Sequence, residues 1–257
     1  MVTPKRIISL VPSQTELLYH LGLAEEVVGI TKFCIHPNEW FRTKVRVGGT
    51  KTVNINKVKS LSPDLILANK EENVKEQIEA LGEIAPVYVS DIKNLEDALD
   101  MIKHVGKLVD REQKANEMAE NIHSDFELLK SFVEPINQST YKVSTAYLIW
   151  KDPYMAAGGD TFINDLMLRC GLKNVFSDQQ RYPEISTSQL SQLICEVLLL
   201  SSEPYPFKQK HIDELQQQLR GTKILLVDGE MFSWYGSRLL HSADYFKKLI
   251  QEIQQLN

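Results

Sequence analysis

Cysteine is scarce in this 257-residue chain: Cys34, Cys170 and Cys195 make an odd count, with no CxxC pair and no metal-finger spacing. That excludes a disulfide framework and reads as reduced thiols or buried small hydrophobes. Long apolar runs are absent too. No segment approaches the roughly 18 apolar residues of a membrane helix, so no membrane insertion is expected. The N-terminal stretch MVTPKRIISLVPSQ holds one apolar run of five residues, short of the ~7–15 of a signal-peptide core. The expected location is therefore the cytoplasm, or the periplasm or cell envelope if an export signal has been trimmed. Basic charge is not in excess: 29 Lys and Arg stand against 34 Asp and Glu, a net charge of −5, with no basic stripe. This argues against a nucleic-acid partner. Nucleotide and hydrolase signatures are missing as well, with no GxSxG, P-loop, GxGxxG or HExxH. His20, His104, His123, His211 and His241 are scattered over helical positions, and no enzyme is expected.

What is present is an alternation of short apolar runs and amphipathic stretches. Ile7-Ile8-Ser9-Leu10-Val11 predicts a buried strand stopped by Pro12. Ser13 with Glu16 forms a capping-box pattern for a helix that Gly22 ends. Val27–Thr31 is a second strand, Asn38–Lys44 a short helix, and Val47–Thr50 a tight turn. Ile55, Val58 and Leu61 mark a further helix. Leu65–Ala68, Val74–Leu81 and Val87–Val89 follow as strand, helix and strand. Such alternation predicts a parallel sheet.

Residues 95–133 carry two helical periods in a row. Asp110, with Gln113 three residues on, predicts the cap of the second helix, which should run about 22 residues, roughly 33 Å, until Pro135 stops it. A strand pattern returns at Tyr141–Ile149. Then come a loop from Trp150 to Asp160, a helix from Thr161 to Gly171, an extended Val175-Phe176, and a helix capped by Ser186. Glu196–Leu200 and Ile224–Val227 read as strands, Asp228–Ser237 as an aromatic-rich loop, and Ala243–Leu256 as the closing helix. LLYHLGL at Leu17–Leu23 and LMLRCGL at Leu166–Leu172 occupy matching places in the two halves. The fold class expected is α/β: two Rossmann-like lobes with parallel sheets, 1–108 and 136–257, joined by one long helix at 109–135.

Several runs together resemble a known family. They are Ile7–Glu16 with Leu21-Gly22-Leu23, Val47-Gly48-Gly49, Leu61–Leu67, Tyr182–Ser186 and Trp234–Arg238. In order and spacing they are similar to cobalamin-type substrate-binding proteins of ABC importers, the helical-backbone metal receptors. The resemblance implies a rigid helix between two lobes and a ligand held in the cleft. It implies a small-molecule ligand, a corrinoid or an iron chelate such as haem or a siderophore. Cobalt or iron would belong to the ligand, with no cofactor of the protein's own. It also implies a monomer that meets an ABC permease if exported; the alternative is a cytoplasmic relative acting as sensor or carrier. Carried over position by position, it points in the first lobe to Ser13, Gln14, Phe33, His36, Asn69 and Lys70. In the second lobe it points to Trp150, Tyr154, Gly158, Gly159, Tyr182, Glu230, Met231, Phe232, Ser233 and Trp234. Glu71, Glu72 and Glu203 are the implied permease contacts.

Overall fold

The computed structural model describes residues 3–137 and 142–255. It divides into two compact units. The first takes the chain up to Ile92, Glu96–Ile122 and Trp234–Leu239; the second takes Lys93–Leu95, His123–Ser233 and the chain from Leu240 on.

The first unit runs β1 (Ile7–Ser9), α1 (Pro12–His20), β2 (Val27–Ile30), α2 (Asn38–Thr43), β3 (Val45–Arg46), β4 (Gly48–Gly49) and β5 (Thr52–Val53). It continues through α3 (Ile55–Ser60), β6 (Leu65–Asn69), α4 (Lys75–Gly82), β7 (Val87–Ser90), α5 (Leu95–Leu108) and the start of α6 (Glu112–Asn137). Its main sheet is parallel throughout, in the order β3-β2-β1-β6-β7, with β4 and β5 a separate small ribbon. The chain builds outward from β1 in one direction and then from β6 in the other, so a topological switch point falls between them. Every residue of β6 is buried, which is why it reads as a continuous apolar run. Ile8, Leu10, Val58, Ile66, Ala68 and Leu81 pack as one core cluster.

Helix termini follow the sequence in some places and depart from it in others. Gly22 adopts φ +84° and Gly171 φ +74°. In each case the next residue's N–H reaches back five positions, Leu23 to Leu18 O and Leu172 to Met167 O. That is the Schellman closure that glycine permits. The expected Ser13–Glu16 box does not form, since α1 starts at Pro12 behind Val11 without a side-chain cap. Asp110 also differs. It sits at φ +57°, and Arg111 N donates to Gly106 O at 2.7 Å, so Asp110 closes α5 rather than capping α6. The helix α6 spans 26 residues and passes through Pro135 instead of stopping there.

The second unit continues with β8 (Ser144–Trp150), β9 (Tyr154–Ala156), α7 (Phe162–Arg169), β10 (Lys173–Asn174), β11 (Glu184–Ile185) and α8 (Thr187–Gln192). Then come β12 (Val197–Ser201), α9 (Gln209–Gln216), β13 (Lys223–Val227), α10 (Gly229–Ser233) and α11 (Leu239–Gln255). The sheet order is β11-β9-β8-β12-β13, with β10 also on β8. It is mixed rather than wholly parallel: β8, β10, β12 and β13 run parallel, whereas β9 folds back antiparallel on β8 and β11 on β9. Ser186 caps α8 with Gln189 in a full capping box, as its spacing predicts. Tyr141 and Leu256, the expected ends of β8 and α11, lie outside the described residues.

Candidate functional site

In the first unit the switch point between β1 and β6 is stitched shut by side chains. Gln14 has no exposed surface. Its amide donates to Ser90 Oγ at 2.7 Å. Asn69 is equally buried; its Nδ2 donates to Ser90 Oγ at 3.0 Å, and its Oδ1 accepts from the N–H groups of Glu71 and Glu72. Both residues tie the carboxyl edge of the sheet together, while Gln14 Oε1 has no hydrogen-bond partner among the described residues. Ser13 is buried beside them, its hydroxyl without a hydrogen-bond partner among the described residues. Lys70 points to the surface and pairs with Asp91 at 2.6 Å.

The open part of this edge lies one strand over, in the loop after β2. Phe33 is 51% exposed and Ile35 44%. The Lys32 ammonium lies 5.0 Å from the Phe33 ring centroid. His36, half-buried, meets the Trp234 indole edge-on at 5.5 Å. The sequence places Trp234 with the second lobe; in the structure it belongs to the first unit, in a strap from Trp234 to Leu239. Three contacts anchor the strap. Arg238 pairs bidentately with Glu16 at 3.1 and 2.7 Å, and its guanidinium lies 5.1 Å from the Trp234 ring. Tyr235 Oη donates to Glu72 at 2.8 Å. Gly236 lies on the first turn of α1, where a Cβ would come within 2.9 Å of the Ser13 carbonyl oxygen.

In the second unit the equivalent switch point, between β8 and β12, is lined by aromatics instead of amides. Trp150 ends β8 with 40% of its surface exposed and packs edge-on against Tyr205 at 5.7 Å. Tyr205 in turn packs on Phe207 and His211. Tyr154, on β9, is partly buried against the unit's core. Tyr182 lies under the Arg181 guanidinium at 5.9 Å. Glu230 and Met231 are partly buried on α10, and Ser233 donates to Glu203 at 2.6 Å. Phe232, by contrast, is fully buried among Tyr147, Tyr245 and Phe246 and forms core. Gly158 and Gly159 form a sealed corner. Their N–H groups donate to Arg181 O and Gln179 O, and their carbonyls accept from Thr161 Oγ1 and Asn164 Nδ2. The sequence reading passed over Ile35, Tyr205, Glu16 and Arg238 as site residues. For Tyr205, an aromatic in the loop after a buried strand was the available signal.

His211 supports the Trp150 platform through Tyr205. Its Nδ1 accepts from Lys208 N–H at 2.8 Å, which leaves the proton on Nε2, 3.3 Å from Tyr205 Oη. Burial holds the imidazole below its ordinary value, Lys151, Lys208 and Lys210 push the same way, and Glu214 opposes them. A depressed histidine binds fewer protons folded than unfolded, so stability is lost as pH falls below the ordinary value of about 6.5. Urea unfolding from pH 7.5 to 5.5 is expected to show that fall. His211→Gln keeps an acceptor for Lys208 and should give a shallower slope; an unchanged slope would contradict the assignment.

The cysteines take no part in such chemistry. Burial pushes the Cys34 and Cys195 thiols up to about 11 and raises Cys170 further. Among the described residues, no group of three His, Cys, Asp or Glu side chains is arranged to hold a metal ion.

Residues 7–225 match the family model described as periplasmic binding protein. An ABC transporter substrate-binding lipoprotein of Bacillus subtilis is 31% identical over 252 residues, covering 94% of this chain and 78% of the relative. The periplasmic vitamin B12-binding protein of Vibrio cholerae shares the fold at a TM-score of 0.81 and 20% identity, over 98% of both chains. A periplasmic haem-binding protein from Pseudomonas aeruginosa does so at 0.83 and 18%, over 96% of this chain and 92% of that one. The chain belongs to the periplasmic binding protein family. It is a substrate-binding protein of the class that serves ABC transporters, a class of solute binders rather than enzymes.

This overturns the expected cytoplasmic location. The family is periplasmic and the Bacillus relative is a lipoprotein, which points outside the cytoplasm. The apolar run used to judge export, Ile7–Val11, is β1 and the turn into α1 of the folded unit, so its length carried no information about targeting.

Proposed function

We propose that this protein captures a metal chelate, a corrinoid, haem or a ferric siderophore, and delivers it to an ABC importer. The observation that carries the reading is that each unit exposes a large aromatic at the carboxyl edge of its sheet: Phe33 after β2 and Trp150 at the end of β8. Their faces suit stacking on a conjugated ring. Lys32 beside Phe33 and Arg181 beside Tyr182 supply cations for carboxylate or amide edges. The vitamin B12-binding and haem-binding relatives support the same ligand chemistry. His36, Tyr154, Tyr182, Glu230 and Met231 complete the proposed contact set, while Gln14, Asn69, Gly158, Gly159 and Phe232 hold the edges in shape. Glu71, Glu72 and Glu203 are proposed to meet basic residues of the permease.

Titration with cyanocobalamin, cobinamide, hemin and ferric siderophores, followed by tryptophan fluorescence, tests the reading. Quenching by at least one is expected, and Trp150→Ala should weaken that ligand about tenfold, or about 1.4 kcal/mol. No quenching by any of them from folded protein would overturn it.

A further inference from the structure

The residues proposed to hold ligand and the residue proposed to meet the permease share one short piece of chain. Within the first unit, Trp234 lies against His36 of the ligand loop, and the next residue, Tyr235, donates its hydroxyl to Glu72. Two further fixings leave the segment little slack: the bidentate Arg238–Glu16 pair, its side chains only 14% and 11% exposed, and the seat of Gly236 on the Ser13 carbonyl. Stacking of Arg238 on Trp234 transmits the anchor to the indole itself.

We infer that the strap Trp234–Arg238 couples the ligand loop to Glu72, so that a basic partner engaging Glu72 changes how the loop holds its ligand. The inference rests on the ligand-loop and docking roles proposed above. A lysine or arginine arriving at Glu72 competes for the carboxylate oxygen that now accepts from Tyr235, and a charge-assisted bond is the stronger of the two. Loss of that acceptor removes one hold on Tyr235 and, one peptide away, shifts the indole against which His36 packs. Coupling of this kind is reciprocal: ligand on the loop shifts the availability of Glu72 by the same factor. Arg238 acts as a positioning residue, keeping the movement confined to the strap.

The test uses the whole protein and two readouts. The first is the histidine side-chain NMR spectrum of unliganded protein, with the His36 resonance assigned by His36→Gln. The second is the Kd for hemin and cyanocobalamin. Tyr235→Phe leaves the charge unchanged and removes only the hydroxyl. It is expected to shift the His36 resonance and to change the Kd of the bound probe at least threefold, with the melting temperature close to wild type. Glu72→Met, which removes the acceptor, should do the same, and Tyr235→Phe should add nothing further in its background, because both changes cut one bond. A His36 resonance unmoved in Tyr235→Phe, or fully additive effects, would overturn the coupling. Should wild-type protein bind neither these two probes nor cobinamide nor the ferric siderophores while the His36 shift is present, the ligand reading falls and the coupling stands.

Discussion

Gly159→Ala is expected to cost about 3 kcal/mol of stability. A Cβ at Gly159 would lie 2.0 Å from the Ser177 carbonyl oxygen and 2.8 Å from its carbon. Both are backbone atoms, which cannot swing aside as a flexible side chain would. Relief requires the 177–181 segment to move away, and that breaks Gly159 N–H to Gln179 O and Gly158 N–H to Arg181 O, each 2.8 Å. The carbonyl of Gly159 would lose its fit to Asn164 Nδ2 as well. Gly82→Ala is the control, since nothing lies within 4 Å of a Cβ there and the residue ends α4. It should be neutral or stabilising by up to ~1 kcal/mol. Chemical denaturation of the three proteins decides the matter. A Gly159→Ala protein as stable as wild type but weakened in ligand binding would restore Gly159 to the binding surface.

Phe232→Ala should be comparably damaging, at about 3–5 kcal/mol, the usual cost of deleting a buried phenyl ring. Phe232 has no exposed surface; its ring centroid lies 4.6 Å from that of Phe246 and 5.0 Å from that of Tyr147. Removing it leaves a cavity bounded by two rings, both themselves fully buried. Phe232→Leu keeps most of the volume and should recover much of the loss. The measurement is urea unfolding, with ligand affinity read only on protein shown to be folded. A folded Phe232→Ala variant of full stability with lost affinity would mean the ring faces ligand after all.

These two residues show what the sequence made legible. The buried strands read at Leu65–Ala68 and Glu196–Leu200 announced themselves, because strands covered on both faces read as apolar runs, and the structure has them at Leu65–Asn69 and Val197–Ser201. Gly22 and Gly171 were legible as stops for a similarly local reason: the left-handed turn each makes is glycine chemistry. The roles of Phe232 and Gly159 were not, since an aromatic or a glycine in a loop looks the same whether it faces ligand or core. Gln14 was hidden for a different reason. Its partner Ser90 lies 76 residues away, beyond any local pattern. Asp110 was misread because an aspartate between two helices suits either the end of the first or the start of the second. The antiparallel strands β9 and β11 are three and two residues long, too short to show an alternation.

The long helix α6 has a consequence for how the protein is made and broken. Its residues up to Ile122 count with the first unit, and those from His123 with the second. Cut at that boundary, it would leave pieces of roughly 11 and 15 residues, lengths at which an isolated helix is marginal in water. Each piece therefore relies on packing within its own unit to stay helical. A nascent chain cannot finish its first unit until the segment that returns at Trp234–Leu239 has been synthesised. Synthesis must pass residue 239 before every segment of the first unit is present.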